Sequence, residues 1–203
     1  MKYFPFGAFT DAMLNAEFLQ ISRVVNDEGE RWDDLRFPVT AINLPGQASD
    51  PDIEASTGMF LFAASGTELI FGVAQLPHAW KEQSVVKPHI HWCKTTSAGG
   101  DVVWRLDLEV VNNGSVTPFT YATTSDGVVA AGTPDGDTAN ECLISTFDAI
   151  DMTGLTVSSL IFWKLSRIGS DGSDTYGADA RLFEFDIHYQ TNTPGGSEEE
   201  YSK

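Results

Sequence analysis

The sequence predicts an all-β chain: a jelly-roll-like antiparallel β-sandwich with an extended N-terminal arm. Three observations predict it. From Gly58 onward, short runs rich in Val, Ile, Phe and Trp alternate with clusters of Gly, Asp, Asn, Ser and Pro, the pattern of strands joined by turns. Two of those runs alternate apolar and polar residues with period two, as a half-buried strand must. No helical period lies between the runs, which argues for a sandwich or jelly roll over a parallel α/β sheet.

Taken in order, residues 1–56 form the predicted arm. Within it "TDAMLNAEFLQ" suits a short helix with Thr10 as its N-cap. The stretch that follows is rich in Pro, Gly and Asp, with no sustained period. It is too long for an ordinary loop and suits a segment that packs on a neighbour. Phe4, Phe6, Phe9, Trp32 and Phe37 are the expected anchors of that arm.

Residues 57–190 form the predicted sandwich. Its strand candidates are "GMFLFAAS", "TELIFGVAQLP", "VVKPHIHWCKTT", "GDVVWRLDLEVVNNGS", "TPFTYATTS", "ECLISTF", "SSLIFWKLSRIG" and "ADARLFEFDIHYQT". In the fourth, Trp104, Leu106, Leu108 and Val110 oppose Arg105, Asp107 and Glu109. In the last, Phe183, Phe185, Ile187 and Tyr189 oppose Glu184, Asp186 and His188. Pro88 suits an edge strand or a strand's start, where a missing N–H costs little. Trp32, Trp80, Trp92, Trp104 and Trp163 mostly fall within apolar patterns and read as core. Residues 191–203 form a polar tail.

Charge narrows the function. The 203 residues carry a formal net charge of -17, with only 12 Lys plus Arg and a pI near 4.3. No run holds three basic residues, so direct nucleic-acid binding is not expected, nor binding to anionic membranes. The longest apolar runs fall far short of the roughly 20 residues a membrane helix needs, and the N-terminus lacks a signal-peptide core. Cys93 and Cys142 make no disulfide framework and read as two buried thiols in a reducing compartment.

The candidate chemistry centres on "KPHIHWCK", Lys87 to Lys94. On a strand, His89 and His91 share one face. With His188, and with Glu184 and Asp186 on its strand, they are the candidate metal ligands. The Glu that cupins place shortly after such a pair is missing. The preferred reading is a polar face whose histidines bond carboxylates or meet another subunit, with no cofactor and no catalytic residue. No G-x-S-x-G elbow occurs. The loops "GSDGSDTYGADA" and "TPDGDTANE" are oxygen-rich but miss the EF-hand register. Asp33/Asp34, Asp107/Glu109 and Glu184/Asp186 are the carboxylate pairs a glycoside hydrolase would draw on.

Three segments, "ERWDDLRFPV", "VAQLPHAWKEQSVVKPHIHW" and "YGADARLFEFDIHYQ", together resemble a family of uncharacterised virion structural proteins of tailed bacteriophages, from about Glu30 to Gln190. The family has Gly where this chain has Gln83, which implies a different turn. The resemblance implies a non-enzymatic structural protein of the virion, made in the host cytoplasm. Capsid decoration or a head fibre is the favoured role, ahead of a tail adaptor or fibre base. Its partners would be itself, as a homotrimer or other cyclic oligomer, and virion proteins such as the major capsid protein. His89, His91, Arg105, Asp107, Glu184, Asp186 and His188 would then be interface residues around a symmetry axis. The competing classes are a cupin-like metal-dependent enzyme and a carbohydrate-binding module with an exposed aromatic cleft.

Overall fold

The computed structural model describes residues 31–116, 119–121, 123–129 and 138–191. Among the described residues, ten strands and one 3-10 turn run in the order β1 (Arg31–Pro38), η1 (Val39–Ala41), β2 (Asp52–Ile53), β3 (Phe60–Phe62), β4 (Thr67–Gln75), β5 (Val86–Lys94), β6 (Val102–Val111), β7 (Thr123–Val129), β8 (Leu143–Thr146), β9 (Leu160–Ile168) and β10 (Ala180–Thr191). They form a six-stranded sheet ordered β2-β3-β10-β5-β8, with β1 also paired to β10, and a four-stranded sheet ordered β4-β9-β6-β7. The orders 3-10-5-8 and 4-9-6-7 are those of a jelly roll, in which the chain crosses repeatedly between two antiparallel sheets.

The core lies between the sheets. Ile70, Trp104, Leu106, Leu108, Ile161, Trp163 and Leu165 of the smaller sheet meet Phe62, Ile90, Trp92, Leu182, Phe185 and Ile187 of the larger one, all 2% exposed or less. Trp80, Trp92, Trp104 and Trp163 are core residues, as their apolar surroundings in the sequence predict, whereas Trp32 is only half-buried. Trp104 packs edge to face at 5.1 Å from Phe62 and 5.8 Å from Trp92, and Trp163 lies tilted against Phe185 at 4.7 Å. Burial of each such side chain contributes on the order of 2–3 kcal/mol. Gly72 is required by this packing, because a Cβ there would fall 2.0 Å from the Trp163 ring.

Three details of the strands differ from the sequence reading. Strands of the sandwich begin at Arg31, ahead of the expected boundary at 57. Residues 31–56 supply β1 and β2, and Phe37 packs within the chain, 5.3 Å from Trp163 and 5.8 Å from Phe185. Trp32, the other expected arm anchor described here, carries Lys87 Nζ 4.3 Å from its ring centre. Phe4, Phe6, Phe9, the short helix and the tail lie outside the described residues.

The second difference is on β10. Its register against β5 slips between Leu182 and Glu184, so one extra residue changes the phase of the strand. Leu182 is buried in the core and Phe183 is only half-buried. Pro88 lies near the start of β5, one of the two placements expected for it, and β5 is an interior strand. The Pro88 carbonyl accepts from Phe147 N at 3.0 Å, but Pro88 has no N–H to complete that pair, and β8 ends one residue earlier at Thr146. Gln83 adopts φ 65°, the left-handed conformation glycine favours. The third difference is the seventh strand, which falls later than expected, at Thr123–Val129 instead of 117–125.

Candidate functional site

Pairing of β5 with β10 builds the site. The register sets Asp186 opposite His89, Glu184 opposite His91 and His188 opposite Lys87. Ile90, Trp92, Phe185 and Ile187 fill the core, so alternation turns the histidines and acids to the outer face of the larger sheet. Sequence alternation placed all five residues on one face of their strands, and the register brings three of them together.

Asp186 Oδ2 lies 3.3 Å from His89 Nε2 and 3.1 Å from His91 Nε2. The two Nε2 atoms are 3.1 Å apart. The side chains of His89 and Asp186 are 7% and 5% exposed, whereas that of His91 is 37% exposed. His89 Nδ1 and Asp186 Oδ1 are buried without a hydrogen-bond partner. The cluster thus has an inner pair away from water and one ligand-type nitrogen at the surface.

The flanking residues are held differently. The His188 ring centre is 4.3 Å from that of His89, but its Nε2 pairs with Asp34 Oδ1 at 2.9 Å. Glu184 accepts from the Arg36 guanidinium at 2.7 Å. Asp34 and Arg36 come from β1, the strand missed in the sequence. Its neighbour Asp33 accepts from the Tyr189 hydroxyl at 3.1 Å. Burial, with Asp33 second, pushes the Tyr189 phenol up to about 12. Farther along the same sheet, Arg181 reaches Glu54, Asn140 and Cys93.

Arg105 and Asp107 do not join this group. They sit on β6, in the other sheet, where Asp107 pairs with Lys164 at 2.7 Å and Arg105 at 3.1 Å. The outer faces of a sandwich's two sheets point in opposite directions. Glu109, on that same strand, accepts from the backbone N–H groups of Thr120 and Tyr121.

Other sequence candidates are also placed. Asp174, in the glycine-rich loop after β9, has both carboxylate oxygens on Arg167, which commits it to an ion pair rather than a cation. Cys93 is buried, but Cys142 is exposed, unlike the buried thiol expected. Burial raises the Cys93 thiol above its ordinary value despite Arg181, which opposes a nucleophilic role.

No protein-family model matches the chain, and no curated protein matches it. Solved structures give distant likenesses. One is the CBM36-1 domain of a multidomain xylanase from the hindgut metagenome of Trinervitermes trinervoides, with 10% identity over 76% of this chain and 96% of that chain, TM-score 0.40. Another is CBM35 from Cellvibrio japonicus Abf62, with 10% identity over 78% of this chain and 98% of that chain, TM-score 0.42. A third is a structure of infectious bursal disease virus Gx strain, with 10% identity over 81% of this chain and 33% of that chain, TM-score 0.38. At such identities and scores the likeness says nothing of function.

Proposed function

We propose that the chain is a non-enzymatic structural subunit of a tailed-phage particle, working by association with copies of itself and with neighbouring virion proteins. Capsid decoration or a head fibre is the favoured place, as the sequence resemblance implies. The observation that carries the binding role is an apolar patch on the outer face of the smaller sheet. Val73 is 49%, Leu160 37% and Phe119 59% exposed. Val73 pairs in register with Phe162, whose ring meets Phe119 at 5.1 Å. A half-open groove of about 410 Å³ between Asn112 and Leu160 borders it. Contiguous exposed apolar surface of this kind marks an interaction site.

Charge selects the face on which a second copy could sit. Copies carrying -17 each repel one another. On this face Asp107 is neutralised by Lys164 and Arg105, and Glu109 is spent on backbone donors, so approach costs least here. Native mass spectrometry tests the reading. The wild type should be a small cyclic oligomer, and Val73→Glu should be a folded monomer. A wild-type monomer at every concentration overturns self-association.

A further inference from the structure

We propose that His89, His91 and Asp186 form a three-ligand site for a divalent transition-metal ion of the zinc type. The geometry of protons carries the inference. With Asp186 ionised, each of its two short contacts requires a proton on the facing Nε2. Both protons then crowd into the 3.1 Å gap between the two nitrogens. Moving one proton to the far nitrogen of its ring leaves a lone pair facing a carboxylate. No arrangement gives all three edges of the triangle a hydrogen bond.

A cation satisfies all three edges at once. Metal–ligand bonds of about 2.0–2.1 Å in a tetrahedral set place neighbouring ligand atoms about 3.3–3.4 Å apart. The observed edges are 3.1, 3.1 and 3.3 Å, already within a few tenths of an ångström of that spacing. The three ligand atoms come from two adjacent strands whose register fixes them, so little rearrangement is needed.

Burial supplies the second, independent observation. Asp186 is 3% exposed as a residue, and its Oδ1 has no hydrogen-bond partner. A buried carboxylate oxygen without a partner is costly, and a bidentate bite on a cation or a metal-bound water removes that cost. His91, the half-exposed ligand, gives the ion a route from solvent, and water would complete the coordination.

The donor set selects the ion. Two imidazoles and one carboxylate suit zinc and its first-row neighbours, whereas calcium and magnesium take oxygen sets. The ligand atoms that lie within 4.8 Å of one another are those of His89, His91 and Asp186; His188, a candidate ligand by sequence, and Glu184 fall outside that group, with His188 Nε2 paired to Asp34 and Glu184 Oε2 to Arg36. The site is independent of the apolar patch, which lies on the opposite sheet.

The experiment uses the full chain without a histidine tag. It is stripped with chelator, loaded with Zn2+, dialysed and assayed for metal, and titrated with Co2+ for visible absorption. The wild type should retain about one zinc per chain and give the intense spectrum of low-symmetry Co2+. His91→Ala, at the solvent side, should bind at least about a hundredfold more weakly while keeping its circular dichroism; Asp186→Asn should behave likewise. Zinc should raise the unfolding temperature of the wild type and not that of His91→Ala. No retained zinc in the wild type, or retention unchanged in His91→Ala, overturns the site.

Discussion

Arg167 and Asp174 face each other as a fork on a carboxylate, with Nε to Oδ2 at 2.9 Å and Nη2 to Oδ1 at 2.7 Å, and their side chains are 0% and 1% exposed. The remaining guanidinium donors go to the carbonyls of Phe62, Tyr176 and Ala178, while Asp174 also accepts from Val103 N. One side chain on β9 therefore ties β3 and the loop between β9 and β10 to the core.

Removing one partner leaves a buried charge unpaired. Arg167→Met is expected to cost about 3–5 kcal/mol, read as a lower urea midpoint. Arg167→Met with Asp174→Leu should recover part of that loss. A single variant as stable as the wild type would contradict this role.

Gly72→Ala tests the close approach of β4 to Trp163. The added methyl must displace the indole, at a cost of about 1–3 kcal/mol, with an altered tryptophan emission spectrum. Unchanged thermal stability would show that the ring moves freely.

Tyr189 gives the fold an alkaline dependence. An ordinary phenol ionises near about 10, and in the fold this one is held up to about 12. The folded chain thus holds the proton more tightly than the unfolded chain. The stabilisation is complete below about pH 10 and drains away as pH rises through about 12. In Tyr189→Phe the loss of stability between those values should be smaller than in the wild type. Equal slopes in denaturant melts across that window would refute the contribution.

The jelly roll was legible because its central strands obey alternation, as β6 does with Trp104, Leu106 and Leu108 inward. The phase of β10 was not, since a bulge leaves no mark in the sequence of one strand alone. β1 was missed because "RWDDLRFP" offers only Leu35 and Phe37 to the core, while Asp34 and Arg36 answer acids and bases on β10. His89 and His91 were found as a pair, and Asp186 became their third member only through the β5–β10 register. Arg167 was overlooked, yet a signal existed: alternation in β9 puts it on the face of Ile161, Trp163 and Leu165. A lone arginine on an apolar face calls for a buried partner.

The apolar face is the core of the functional account, and salt tests it directly. Sedimentation velocity of the wild type and Val73→Glu is compared at about 0.05 M and about 0.5 M salt. Screening relieves repulsion between copies of charge -17 without weakening apolar contact, so the wild type should associate more strongly at high salt while Val73→Glu stays monomeric. A wild type that remains a monomer at both salts, or dissociates as salt rises, would contradict the account.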